Sequence, residues 1–204
     1  MFNPGRGYKN EFRIIAGKWR RRRIRFPGIP GIRPSPDRVR ETLFNWLMPQ
    51  ITGASCLDLF AGSGALGLEA LSRDAARVLF IEKERQSADA LRGHLQALQA
   101  ANAEVLQSDA LAFLRTPPRD AFNIAFMDPP FDSPLLAQAA DLLSRPGWLA
   151  PKALVYMEFP MGRVPQLPSA WTRYREGHAG RVGFLLAKQS AGDLPGTEKP
   201  AIQT

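Results

Sequence analysis

Residues 57–70, LDLFAGSGALGLEA, decide the fold. An apolar run carrying one acid, Asp58, passes into a turn with glycine at 62, 64 and 67, and small and leucine residues then follow at helical spacing. This is a strand, a tight turn and a helix, an arrangement in which backbone approaches a ligand closely because side chains are absent. Gly62, Gly64 and Gly67 satisfy G-x-G-x-x-G, and Glu82 lies twenty positions after Gly62, at the end of the next apolar run. An acid there is placed to accept hydrogen bonds from ribose hydroxyls. A dinucleotide and S-adenosylmethionine both carry that ribose, and glycines needed only for tight turning are a third reading.

Outward from this motif, apolar strands and helices alternate. Strands are expected at 55–60, 78–82, 104–107 and 123–127, with helices near 66–72, 86–99, 110–114 and 135–143. Such alternation implies an α/β fold, a mostly parallel sheet with helices on both faces. Three further apolar runs, 153–158, 171–175 and 182–187, lack a long helical pattern between the last two, so the sheet is expected to finish in an antiparallel pair.

Acids recur at strand ends, and they narrow the ligand. Asp58 lies just before the glycine turn, where a carboxylate suits the positive ammonium and sulfonium of S-adenosylmethionine and repels a pyrophosphate. Asp109, after the third strand, has two compatible readings: it holds the exocyclic amine of adenine, with Ala110 donating its backbone N–H to the ring, or it caps the next helix. The fourth strand runs straight into "DPPF", Asp128, Pro129, Pro130 and Phe131. An exocyclic amine on a nucleobase is a poor nucleophile because its lone pair is delocalised into the ring. Acceptors for its N–H groups favour a pyramidal nitrogen and expose that pair. Asp128 is one such acceptor, and the carbonyl of Pro129 or Asp128 is a candidate for the second, since consecutive prolines fix the backbone and carry no N–H. Phe131 offers a ring face for stacking the base. The plain alternative is a strand-ending turn.

Composition sets the outer limits. A chain of 204 residues, 45% hydrophobic, can bury one sizeable core. It has no run of eighteen apolar residues, and its opening lacks the apolar centre of a signal peptide, so a cytoplasmic protein is expected. Cys56 is the only cysteine, which excludes an internal disulfide and a multi-cysteine zinc site. His94 and His178 are too few to argue for a metal or a triad, and none is expected. Ser63 is not in a G-x-S-x-G elbow, and Trp46, Trp148 and Trp171 read as core.

The net charge of +8 is concentrated at one end. Residues 1–40 hold twelve Lys/Arg against Glu11 and Asp37, a net +10, so the remainder carries −2. Charge placed this way attracts a polyanion, nucleic acid above all, with a solvated basic tail as the alternative. Within it, 12–15 and 23–26 read as strands of a basic hairpin turning at Ala16-Gly17-Lys18. The segment "PGIPGIRPSP" leads to a helix with Ser35 as N-cap and Pro36 in its first turn, and with Val39, Leu43, Trp46 and Leu47 on one face. The chain thus divides into a basic arm and linker at 1–34, a sheet domain at 35–189 and a polar, Pro/Gly-containing tail at 190–204 that reads as disordered.

Five stretches, "RIIAGKWRRRRIRFP", "GIRPSPDRVRETLFNWL", "LDLFAGSGALGLEALSR", "MDPPF" and "WLAPKALVYMEF", together resemble the bacterial RsmD family, over about residues 12–188. The resemblance implies a class I methyltransferase (Rossmann-like) fold of seven strands with the basic hairpin and helix before it. It also implies transfer of a methyl group from S-adenosylmethionine to the N(2) amine of a specific guanine in 16S ribosomal RNA, in small subunits or their assembly intermediates, leaving S-adenosylhomocysteine; a monomer without a metal is expected. By position, Asp58 and the turn Phe60, Ala61, Gly62, Ser63 and Gly64 hold the donor, Glu82 its ribose, Asp109 and Ala110 its adenine, and Asp128–Phe131 the target base. Lys18, Arg20, Arg21, Arg22, Arg23, Arg33, Arg38 and Arg40 approach RNA. Family members often carry a second acid two residues after the glutamate matching Glu158, where this chain has Pro160. Two rivals stand beside this reading: an amino-methyltransferase of adenine or cytosine in DNA, and an RNA assembly factor that binds the cofactor without turnover.

Overall fold

A computed structural model describes residues 10–28, 36–131 and 133–190. Its elements run β1 (Asn10–Arg13), β2 (Arg23–Phe26), α1 (Asp37–Ile51), β3 (Ser55–Asp58), α2 (Ala65–Ser72), β4 (Arg77–Glu82), α3 (Arg85–Ala97), β5 (Ala103–Gln107), α4 (Ala110–Leu114), β6 (Phe122–Met127), α5 (Leu135–Leu143), β7 (Leu149–Pro160), β8 (Trp171–Ala179) and β9 (Val182–Gln189). Strands β3 to β9 form a seven-stranded sheet in the order β5-β4-β3-β6-β7-β9-β8. The first five of these neighbours pair in parallel, and β9 pairs antiparallel to both β7 and β8. The expected α/β sheet and its antiparallel finish are therefore present.

Each face of the sheet carries its own core. Cys56, Phe80, Phe126, Tyr156 and Phe184 point to the face covered by α1, α2 and α3, and the alternate residues Leu57, Ile81, Met127, Met157 and Leu185 point to the other, as the two-residue strand period requires. The hairpin belongs to the first core. Phe12, Ile14, Ile24 and Phe26 are each 5% exposed or less and cluster with α1, α2 and α3, a burial that contributes roughly 1.5–3 kcal/mol per side chain. On the far side of the hairpin, the ring Nε2 of His94 on α3 meets the carbonyl oxygen of Arg25, so that nitrogen carries the proton and donates.

Several boundaries differ from the expectation. Helix α1 continues through Pro49 to Ile51, whose side chain is buried, and Pro36 stands at its N-cap and not inside its first turn. Ser35, read as that cap, and Arg33 lie outside the described residues, as does the tail from 191. Strand β3 stops at Asp58, two residues early, although Leu59 N–H still bonds to the carbonyl of Phe126 on β6 and Ala61 N–H to that of Ile81 on β4. Strand β7 is twice its expected length, with a register shift opposite Phe122. Trp148 and Trp171 are core residues, whereas Trp46 is half-buried against Phe184.

Candidate active site

Four acids stand at the carboxyl ends of four adjacent strands and point to one face. In parallel register Asp58 on β3 lies beside Phe80 on β4 and Phe126 on β6, and Phe126 lies beside Tyr156 on β7. Two residues further along come Glu82 and Glu158, still within their strands and on the same side because the strand period is two, and Asp128, the first residue past β6, whose charge acts on Tyr156 of this face. The row Glu82, Asp58, Asp128, Glu158 thus spans β4, β3, β6 and β7 on the face that α1 and α2 cover. Glu158 entered the sequence reading only through the family pattern; its signal was there, since it ends an apolar run as the other three do. Ligands bind outside the carboxyl ends of such sheets.

The glycine turn is built around two of these acids. Gly62 has φ 52° and Gly64 φ 78°, conformations that disfavour any side chain. Gly67 has another cause: a Cβ there would lie 2.1 Å from the Phe80 ring and 3.0 Å from Asp58 Oδ2, so the helix packs on the strand only with glycine. Gly67 N–H donates to Asp58 Oδ2 at 2.9 Å. The first turn of α2 is therefore already committed to an acid, which leaves a pyrophosphate poorly served there. Asp58 is 3% exposed, and burial pushes its carboxyl up to about 7 despite the Gly67 hydrogen bond, with Glu82 adding a smaller push in the same direction. A buried, reluctant carboxylate of this kind gains from a cationic partner.

Glu82 clasps the other side of the turn. Its Oε2 accepts from Gly62 N–H and its Oε1 from Glu84 N–H, each at 2.6 Å, and burial raises its pKa although both bonds oppose it. The acid expected at the ribose is thereby fastened to the loop expected to cradle the donor. Phe60 is half-buried beside it, and Ala61 and Ser63 are buried. Asp109 does cap α4: Oδ1 accepts from Leu111 and Ala112 N–H at 3.0 Å, while Oδ2 lies 3.8 Å from Lys83 Nζ. Ala110 is buried in the first turn of that helix.

Asp128 is half-buried, not swallowed by the core, and Pro129 beneath it is buried while Pro130 is exposed. Phe131, three residues beyond the acid, is 37% exposed. The Ser133 hydroxyl donates to the Pro130 carbonyl at 2.6 Å. Beside it on β7 the Tyr156 hydroxyl donates to Glu158 Oε1 at 2.8 Å, both buried, and the negative charges of Glu158 and Asp128 add to burial in holding Tyr156 far above its usual range. A concavity of about 1000 Å³ opens elsewhere, between β5 and the loop after α4, lined by Arg77, Leu106, Phe113 and Trp148. Its lining contains none of the four acids.

The basic residues separate into two groups. Lys18, Arg20, Arg21, Arg22 and Arg38 are exposed, and Arg23 is exposed with an ion pair to Glu11. Arg40 corrects the sequence reading: it is 0% exposed, so it cannot meet RNA. Its Nη2 donates to the Arg13 carbonyl (2.9 Å) and to Asp37 Oδ1 (2.6 Å), Nη1 lies 3.7 Å from Glu69 Oε2, and the guanidinium stacks over Phe12. Sequence reasoning missed Glu69 altogether. This acid, fully buried in α2, accepts Ile15 and Ala16 N–H at 2.8 and 3.0 Å and Arg73 Nε at 2.8 Å, clamping hairpin, α1 and α2 together.

Comparison with known proteins agrees with the geometry. The family described as Conserved hypothetical protein 95 matches residues 12–188. Ribosomal RNA small subunit methyltransferase D of Escherichia coli K12 is 47% identical over 94% of this chain and 96% of its own, and the protein of the same name from Haemophilus influenzae is 45% identical over 87% and 94%. The solved structure of the yhhF protein of Escherichia coli superposes with a TM-score of 0.81 at 48% identity, covering 90% of this chain and 100% of its own. With nearly its whole length matched in sequence and the same sheet beneath it, the chain belongs to the RsmD family of methyltransferases.

Proposed function

We propose that the protein transfers a methyl group from S-adenosylmethionine to the exocyclic N(2) amine of a specific guanine in 16S ribosomal RNA, in the cytoplasm. The observation that carries this reading is the row of four acids, one of which leads into Pro129, Pro130 and the exposed ring of Phe131. Relatives named for small-subunit ribosomal RNA support the choice of RNA.

The residues fit the donor. Asp58, buried and raised to about 7, suits an ammonium; Glu82, fixed to Gly62, suits a ribose diol; the turn at Gly62–Gly64 leaves room for atoms that side chains would fill. Asp109 and Ala110 are left for the adenine. When bound, S-adenosylmethionine supplies an electrophilic methyl on a positively charged sulfur. Asp128 and the carbonyl of Pro129 or Asp128 then act on the acceptor, drawing on its N–H bonds so that the nitrogen lone pair faces the cleft, while Phe131 stacks the base. The work is positioning and charge complementarity, with no covalent intermediate. The acidic row also repels phosphate, so a base enters the cleft and its backbone stays outside.

Labelled methyl transfer to naked 16S RNA, small subunits and duplex DNA, run side by side, tests this. Label on N(2) of one guanine in RNA is expected. Label in DNA, or on another base, would refute it, and donor binding without transfer would favour the assembly factor.

A further inference from the structure

The basic turn of the hairpin is docked at the end of α2 that points away from the acids. Helix α2 starts at the glycine turn and runs back along the sheet, so its last residue, Ser72, lies at the level where β3 begins; two residues on, Asp74 accepts from Gly53 N–H, just ahead of that strand. To this end the turn is fastened: Lys18 N–H donates to the Ser72 carbonyl at 2.8 Å, Trp19 N–H to Ser72 Oγ at 3.0 Å, and Ser72 Oγ to the Ala16 carbonyl at 2.6 Å. Gly17, at φ 80°, lets it sit flush, since a Cβ there would fall 1.7 Å from the Ser72 carbonyl oxygen. Further bonds close the turn on itself, Arg21 N–H to Ile14 O and Arg22 N–H to Trp19 O, and Trp19 packs on the core. A solvated tail has no such anchorage. Lys18, Arg20, Arg21 and Arg22 nevertheless stay exposed, with Asp74 the exposed acid at that end of α2.

The level of the dock can be placed against the cleft. Ser55 N–H, at the start of β3, donates to the side chain of Asn123, and Asp128 lies five residues further along β6. At about 3.3 Å per strand residue the basic turn and Asp128 are roughly 16 Å apart along the strand axis alone. That is about five steps of a stacked nucleic-acid strand at about 3.4 Å each, more than the phosphates flanking one everted base cover.

Resting on the methyltransferase reading above, we infer that the Lys18–Arg22 turn is a second RNA site, which grips the phosphate backbone of a segment other than the one holding the target base. The substrate it fits is a folded RNA that presents two strands at a fixed separation. Affinity comes from the turn and the choice of base from the cleft, two tasks kept at opposite ends of one helix.

The test uses the chain's single, buried cysteine. Cys56 is 0% exposed and its thiol is pushed up to about 12, so an iron chelate attached through Thr52→Cys, an exposed position next to Gly53 at the dock and outside the basic turn, labels one place. The tethered protein is incubated with small subunits and S-adenosylmethionine, and backbone cuts and the methylated nucleotide are mapped in the same RNA. Cuts in a segment separate from the methylated guanine are expected. Cuts only beside that guanine, or none while methylation proceeds, would overturn the inference. Absence of methylation would count against the cleft reading alone, since the cuts still report where the turn lies. In parallel, Lys18→Ala, Arg20→Ala, Arg21→Asn and Arg22→Ala are combined, asparagine being chosen because position 21 has φ 69°. The loss is expected in KM, about 10- to 100-fold, with the log–log salt dependence of binding flattened by about 3 to 4. An unchanged KM and slope would contradict the proposal.

Discussion

Replacing Asp58 with asparagine keeps the shape of the side chain and an oxygen to accept the Gly67 N–H, and removes only the titration. In the folded protein the carboxyl is raised from 3.8 to about 7, because it is 3% exposed. A group whose folded pKa lies above its unfolded one binds more protons in the folded state between the two values. Its contribution to stability is therefore present below pH 4 and is lost as pH rises toward 7. About three pKa steps at about 1.4 kcal/mol each give roughly 4 kcal/mol. Glu82 is raised as well and His94 is lowered, so the whole-protein profile mixes signs, and the difference between wild type and Asp58→Asn isolates this one group. Urea unfolding followed by tryptophan fluorescence from pH 4 to pH 8 measures it. Wild type is expected to lose about 4 kcal/mol relative to the variant over that range. The same linkage predicts that near pH 6 wild type releases close to one proton on binding a cationic donor and the variant none, which calorimetry in buffers of different ionisation enthalpy reads directly. A stability difference that stays flat with pH would refute the reasoning.

Two further substitutions probe the docking of the hairpin. Glu69→Ala removes the acceptor of Ile15 and Ala16 N–H and leaves buried Arg40 and half-buried Arg73 without their shared acid; a loss of about 3–5 kcal/mol in urea unfolding is expected, and less than about 1 would show that the clamp is not structural. Gly17→Ala places a Cβ against the Ser72 carbonyl at positive φ, so amide exchange at Lys18 and Trp19, both bonded to Ser72, is expected to accelerate at least about 30-fold, while α5 amides stay protected.

What the sequence made legible was whatever local pattern controls. Acids ending apolar runs, glycines between a strand and a helix, and the alternation of the two elements are nearest-neighbour facts, and Asp58, Glu82, Asp109 and Asp128 stand at strand ends as read. Asp109 was legible as a helix cap because capping needs only the next three residues. Arg40 was misread, although a signal existed: it lies three, four, seven and eleven positions before Leu43, Phe44, Leu47 and Ile51, squarely within the apolar stripe of α1. Weight on the positive charge of residues 1–40 hid it. Glu69 is different. Its partners at Ile15 and Ala16 are 54 and 53 positions away, a pairing that no local period encodes; the one hint is a charge inside a helix buried on every side. The placement of the basic turn at the far end of α2 was hidden for the same reason, since it depends on Ser72 meeting Gly17 across the fold.

In the proposed mechanism the acid at the end of β6 acts on the acceptor nitrogen and not on the donor. Asp128→Ala, assayed for single-turnover transfer of labelled methyl to small subunits and, separately, for S-adenosylmethionine affinity by calorimetry, tests it most directly. Loss of a preorganised acceptor predicts transfer slowed at least about 100-fold with donor affinity changed less than about threefold. Equal loss of both, or transfer at the wild-type rate, would contradict it.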